Sequence, residues 1–425
     1  MSEDLKKRIF SLIAEYLEKK PQKDAIPPKS FINYAGPIYD EDEICNMVDA
    51  ILSGWFALGT YTKKFEEELA KICGVNHCVY TNSGSSANLL AVSALMSKGV
   101  SLVKKGDEVI TSAVAYPTTI NPLIQNGLRP VLVDLDLTTY TLNVEEIEKS
   151  LSKKTKLIML PHLLGSPNDI DAILEIVVDN DLILIEDCCD ALGTTYRDQQ
   201  VGSFGSLGTF SFYAAHQITT GEGGCVITNN EDLSETVRSI RDAGKITSNP
   251  KHIPPIPWGK LPEDYDRRYV YTNIGYSLRP VDFQAAMGLM QIKKIPEFIN
   301  RRNENFKQIF DELTKLDKYF FLPHVVPNGK ASWYAFPITV RPDAPFTRND
   351  IVSWLEKNFI ETRPFFAGNI MHQPGYLDVD FRTISKLQNS DLIMRNTFFI
   401  GVFPGLNAKK IDFIMEKFQQ FIMNL

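Results

Sequence analysis

From about Tyr61 onward, short apolar runs alternate with longer amphipathic stretches. The runs Cys78–Thr81, Glu108–Thr111, Pro130–Val133, Leu157–Leu160 and Leu182–Ile185 have the length of buried strands. Between most of them lie segments with helical spacing, among them Ala87–Leu95, Asn143–Leu151 and Asp169–Val178. Strand–helix alternation of this kind predicts a mainly parallel sheet with helices on both faces. Two further strands, Thr209–Phe212 and Gly224–Thr228, flank a glycine-rich loop. Pro280–Phe298 and Asn300–Leu316 predict two successive helices. From about Lys318 the pattern becomes that of a smaller α+β unit, with strands at Tyr334–Val340 and Thr397–Val402 and a closing helix at Ala408–Met423.

At the other end, Leu5, Ile9, Phe10, Ile13 and Leu17 recur at helical spacing among charges, which predicts a surface helix. A Pro- and Lys-containing linker, Pro21–Ser30, follows it. Lys245–Tyr271 is Pro-rich and polar and predicts a long surface excursion. The expected organisation is a helix and linker over 1–32, a large α/β domain over 33–317 and a small α+β domain over 318–425.

Composition narrows the function classes. Of 425 residues, 44% are apolar and 23% charged, as in an ordinary folded protein rather than a disordered one. The formal charge of −7 argues against a non-specific nucleic-acid binder, which needs a basic face. No apolar run reaches the roughly 18 residues of a membrane helix, and the N-terminus lacks the form of a secretory signal. A cytoplasmic protein is the expectation. The six cysteines, Cys45, Cys73, Cys78, Cys188, Cys189 and Cys225, form no Cys-x-x-Cys pair and read as small core residues.

Three segments carry chemistry. Thr81-Asn82-Ser83-Gly84-Ser85-Ser86-Ala87-Asn88 takes a strand into a helix through small residues, which leaves backbone N–H groups free for an anion; taken alone it is also an ordinary helix cap. Leu182–Ala191 is a hydrophobic strand ending in Glu186-Asp187-Cys188-Cys189-Asp190. Carboxylates at the C-terminal edge of a parallel sheet stand where such sheets bind ligands, and an Asp there can hold a protonated pyridine nitrogen. Solvated acids at a strand end are the plainer alternative. The third segment runs from Gly208 to Gly224 and delivers Ser211 and then His216 into the glycine-rich loop.

Taken in order, Ser-Gly-Ser-Ser-Ala, Ile-Glu-Asp with Ala191 and Gly193, Ser-Phe, Gly-Glu-Gly-Gly, Gly275-Tyr276-Ser277-Leu278-Arg279 and Gln284-Ala285-Ala286 resemble the sugar aminotransferase family of fold type I pyridoxal-phosphate enzymes. The resemblance runs from roughly Asn33 to Leu425. It implies an aspartate-aminotransferase-like α/β fold, a homodimer with sites at the interface, and pyridoxal or pyridoxamine 5'-phosphate as cofactor. Gly84, Ser85 and Ser211 match the phosphate positions, Tyr116 the ring-stacking aromatic and Asp187 the pyridine partner. Arg279 is a candidate for a substrate or glutamate carboxylate, and Tyr213 for the substrate. Members usually have Asn where Ser277 stands, reaching the phosphate of the neighbouring subunit; the resemblance departs from the family at this position.

Members ordinarily carry a lysine where His216 stands, and imidazole cannot form a Schiff base. The branch with histidine here resembles the nucleotide-4-keto-6-deoxyhexose 3-dehydratases, and Asp190 points the same way. The overall likeness, including Phe366-Ala367-Gly368-Asn369, is to the CDP-linked subgroup. That subgroup carries an iron–sulfur cluster on cysteines inserted after the segment matching Arg241-Asp242-Ala243-Gly244. Lys245–Tyr271 contains no cysteine, and cluster ligation needs thiolates, so no cluster and no other metal is expected. The implied reaction is removal of the C3 hydroxyl from a GDP- or CDP-linked 4-keto-6-deoxy sugar. His216 and Asp190 are its catalytic pair, and L-glutamate restores the amine. The alternatives are a 4-aminotransferase with histidine as proton shuttle, a reductase-coupled deoxygenation, and a non-catalytic binding or regulatory protein.

Overall fold

The structure is a computed structural model that describes residues 2–20, 26–246, 260–262 and 264–425. Its principal sheet has eight strands in the order His77–Thr81, Gly224–Thr228, Leu207–Ser211, Ile183–Asp187, Thr155–Pro161, Glu108–Ser112, Arg129–Val133 and Arg382–Thr383. Gly224–Thr228 alone runs against its two neighbours; every other pairing is parallel. The central strands are buried along their length, save for the half-buried Ile183, which explains why they read as continuous apolar runs. Two apolar clusters cover the two faces, one around Val109, Ile185 and Val226, the other around Ile110, Ile158 and Val131.

A second, antiparallel sheet of Phe320–Phe321, Ala335–Val340, Thr397–Gly401 and Arg363–Pro364 packs with helices Arg348–Lys357 and Ala408–Met423. Ile32 belongs to this second core rather than to a linker. It bridges Ile360 in parallel, and its N–H donates to the Phe359 carbonyl at 2.8 Å. The edge strand Arg382–Thr383 leaves this lobe and extends the principal sheet beside Arg129–Val133. That connection sets the second lobe over the C-terminal ends of the parallel strands.

The two helices expected at Pro280–Phe298 and Asn300–Leu316 are one helix, Asp282–Leu313, with Pro296 inside it. An interior proline removes one backbone bond and crowds the preceding turn. Packing of this helix against Glu41–Leu52, Thr60–Cys73 and the C-terminal helix outweighs that cost. The N-terminal helix forms over Ser2–Lys19, with Leu5, Leu12 and Tyr16 exposed. Residues 21–25 of the expected linker, and 247–259 and 263 of the expected excursion, lie outside the described residues. Among the described residues no helix is long and apolar enough to cross a membrane.

Candidate active site

A cavity of about 810 Å³ opens between the C-terminal ends of the parallel strands and the second lobe. Gly84, Ser85, Tyr116, Asp187, Asp190, Ser211, Tyr213 and His216 all line it. Eight of the ten residues singled out from sequence thus converge on one space, although they come from four separate loops.

The helix Gly84–Leu95 begins at this cavity. Ser83 caps it, its side chain accepting from the Ser86 N–H at 3.1 Å. Gly84 is required by close approach: a Cβ there would stand 2.5 Å from the Ser211 Cβ and 2.8 Å from the Cys189 Sγ. With no side chain in the way, the first-turn N–H groups and the hydroxyls of Ser85 and Ser211 face the cavity as an anion cradle.

Asp187 ends the strand Ile183–Asp187 and is buried. Its Oδ2 accepts from Asn88 Nδ2 at 2.8 Å and from Thr119 Oγ1 at 2.7 Å, while Oδ1 receives the Cys189 N–H at 3.2 Å. Two strong donors therefore fix the carboxylate and leave Oδ1 with capacity for a further donor. Asn88 lies inside the Ser-Gly-Ser-Ser-Ala-Asn motif, yet its role as the clamp on Asp187 is visible only once the helix and the strand meet.

His216 follows a tight turn in which its N–H donates to the Tyr213 carbonyl at 3.0 Å. Its Nδ1 stands 3.6 Å from Asp190 Oδ1 and has no hydrogen-bond partner. Burial, and then the nearby Arg302 cation, pull the imidazole pKa down to about 3. Burial, and then the charge of Asp187, push the Asp190 carboxyl up to about 7. The ring is neutral across the physiological range because the enclosed site disfavours a second cation.

Ser277 and Arg279 do not line this cavity. Ser277 bridges Asp242, and the Arg279 guanidinium reaches Asp242 at 4.0 Å, with its side chain half exposed. Conversely, Tyr34, Tyr334, Arg363 and Phe366 line the cavity without having been assigned from sequence. Each comes from the second lobe or the segment packed on it, and of the four only Phe366 belongs to a run that carries the family resemblance. All six cysteines are free thiols. Among the described residues the one His/Cys/acid cluster within metal-ligand reach is His162, Glu186 and Cys188, and it is already satisfied. Glu186 accepts the N–H groups of Gly202, Phe204 and Gly205, and His162 Nδ1 accepts from the Asn168 N–H.

The donor set fits a pyridoxal-type phosphate: an anion cradle that a Cβ at Gly84 would fill, a clamped carboxylate with a free acceptor, and an aromatic, Tyr116, on the cavity wall. Gly84→Ala is accordingly expected to weaken pyridoxal phosphate binding by about tenfold or more through overpacking of the cradle. An absorbance titration of the purified variant checks it, and unchanged affinity would remove the cradle from this site.

Comparison with known proteins agrees with this geometry. The chain is 40% identical over 430 residues to the lipopolysaccharide biosynthesis protein RfbH of Salmonella typhimurium, with 98% of each chain covered. It is 39% identical over 431 residues to the dTDP-4-dehydro-2,6-dideoxy-D-glucose 3-dehydratase of Saccharopolyspora spinosa, covering 99% of this chain and 93% of that one. The solved structure of E. coli GDP-4-keto-6-deoxy-D-mannose-3-dehydratase with bound hydrated PLP superposes with a TM-score of 0.84 at 31% identity, covering 91% of this chain and 99% of that one. The family model for the DegT/DnrJ/EryC1/StrS aminotransferases matches residues 37–419, and the chain belongs to this family of fold type I pyridoxal-phosphate enzymes acting on sugars.

Proposed function

We propose that this protein is a pyridoxamine-phosphate-dependent 3-dehydratase of a nucleotide-linked 4-keto-6-deoxy sugar, serving 3,6-dideoxy sugar biosynthesis for a surface polysaccharide. The observation that carries the reading is the cavity wall: His216 stands beside the cradle and Asp187, and among the described residues no lysine lines the space. An untethered amine is the form of the cofactor such a wall accommodates. When bound, pyridoxamine phosphate supplies a primary amine for the C4 ketone and a ring that accepts an electron pair.

The chain's residues divide the remaining work. Ser85, Ser211 and the helix N–H groups hold the phosphate. Asp187 keeps a proton on the ring nitrogen through Oδ1. His216 takes up a proton at Nε2 and hands one to the C3 hydroxyl, which departs as water. Tyr116 stacks on the cofactor ring, and Tyr213 flanks the reacting sugar. L-glutamate is the amino donor. The functional unit is a homodimer, in which Ser277 and Arg279 serve the cavity of the other subunit.

Asp190 sets the tautomer of His216. A protonated Asp190 donates to Nδ1 and forces the imidazole proton onto Nε2, which then cannot act as a base. An ionised Asp190 accepts from Nδ1–H and leaves the Nε2 lone pair free. The rate constant kcat is therefore expected to rise with pH along a limb centred near 7, the value to which burial and Asp187 push this carboxyl. In Asp190→Asn the side-chain oxygen accepts at every pH, so the limb should vanish. Measuring kcat from about pH 5.5 to 9 tests this, and a limb that survives in the variant would assign it elsewhere.

The decisive assay supplies pyridoxamine phosphate, L-glutamate and a GDP-, CDP- or dTDP-linked 4-keto-6-deoxyhexose, and follows ammonia and product mass. Glutamate-dependent ammonia release with a product lighter by one oxygen is expected. A product that keeps nitrogen would replace this reading with a histidine-based 4-aminotransferase.

A further inference from the structure

Among the described residues Arg302 is the largest fully buried side chain, on the long helix Asp282–Leu313. Its partners are backbone carbonyls rather than a carboxylate. Nη2 donates to the His216 carbonyl at 2.8 Å, and Nη1 donates to those of Tyr334 at 3.1 Å and Trp333 at 3.3 Å. Nε is buried without a partner. Burial lowers the guanidinium only to about 10, so it remains a cation at neutral pH. A buried cation solvated by three carbonyl dipoles is costly to maintain for packing alone, since a neutral residue of similar volume is usually tolerated at no loss of stability.

The placement suggests a use. Resting on the reading of His216 as the proton-transfer group, we infer that Arg302 is a positioning residue for His216, pinning the loop that carries the imidazole against Trp333 and Tyr334 and setting the electrostatic field at the ring. Gln217 completes the clamp, its amide donating to the Asp190 carbonyl and to the Ser332 carbonyl at 2.9 Å. The Tyr334 ring lies 5.2 Å from the imidazole, so the same contact fixes the ring's neighbour. The groups facing His216 are Asp190 at 3.6 Å, Tyr334, Tyr213 from its own loop at 6.3 Å between rings, and Arg302 behind the backbone. Asp187 lies behind Asp190 and acts on it. Of these, Arg302 alone is a permanent cation, and it opposes protonation of the imidazole. Histidine in this cavity is thereby kept in its base form, with its ring held where Asp190 can select the tautomer.

The test reads the imidazole directly, in the protein without cofactor. The chain has six histidines, so the ring Cε1–H signals are resolvable by NMR, with His216 assigned from its loss in His216→Asn. In the wild type the His216 ring is expected to stay neutral down to about pH 5 or below. Arg302→Gln, which can still donate to carbonyls but carries no charge, is expected to raise its titration by about one pH unit or more. Arg302→Lys keeps the charge but not the fork; its His216 titration should match the wild type while kcat falls about tenfold at unchanged KM. A wild-type His216 titrating near 6.5, or an identical titration in Arg302→Gln, overturns the inference, as does wild-type kcat in Arg302→Lys. Should Arg302→Gln fail to fold, the wild-type titration and Arg302→Lys decide the matter alone. An amine product in the sugar assay would overturn the dehydratase reading without moving these titrations.

Discussion

Asparagine in place of His216 is expected to lower the rate of glutamate-dependent ammonia release by roughly 10²–10⁴-fold, the usual contribution of a positioned general base. The substitution is nearly isosteric at the position of Nδ1, and the surrounding loop is held by backbone contacts that it leaves in place. Those contacts are the Tyr213 carbonyl with the residue 216 N–H, the residue 216 carbonyl with Arg302, and Gln217 with Ser332. Pyridoxal phosphate affinity should therefore change by no more than about threefold, because the cradle at Gly84, Ser85 and Ser211 is untouched. The pair of measurements is a steady-state ammonia assay and an absorbance titration of the cofactor. Loss of rate with retained binding places His216 in proton transfer. Retained rate would move the base to another residue, and loss of both would make His216 a structural member of the cavity wall.

Asp187→Asn should be nearly as severe, at roughly 10²–10³-fold in kcat, and its effect should extend to binding. In the protein, Oδ2 is saturated by Asn88 Nδ2 and Thr119 Oγ1, both donors. An asparagine must therefore keep its oxygen toward those two groups and turn its NH₂ toward the cavity. There it is a donor where the ring nitrogen's proton needs an acceptor, so the protonated ring loses its partner and the buried site disfavours its charge. The check is twofold: kcat in the ammonia assay, and the absorption spectrum of bound pyridoxal phosphate, which reports ring protonation. A variant with wild-type spectrum and rate would show that Asp187 is not the ring's partner. Asn88→Ala should reproduce a milder form of the same defect, since it frees one of the two donors that orient the carboxylate.

Some of this was legible in the sequence for identifiable reasons. The strands Ile183–Asp187, Leu207–Ser211 and Gly224–Thr228 are buried on both faces, so their positions show as short apolar runs without alternation. The cofactor cradle is equally local: a strand end, a Ser cap and a glycine whose missing Cβ is required by Ser211 and Cys189. His216, Asp190 and Asp187 are legible by type and order in two adjacent loops. The sequence pattern divides the helix Asp282–Leu313 in two after Phe298, whereas in the protein it is held as one by three other helices that pack along it.

Sequence by itself determined the strand ends, the phosphate loop and the substitution of imidazole for an amine, because each is a short-range pattern whose chemistry follows from residue type. Tertiary structure alone decided what surrounds that imidazole. Arg302 lies 86 residues from His216 along the chain and Tyr334 further still, and they meet only when the long helix and the second lobe close over the strand ends. It likewise decided that Ser277 and Arg279 stay outside this chain's own cavity. Burial and the fields of distant charges set whether His216 and Asp190 carry protons, and these depend on long-range packing that no local window of residues encodes.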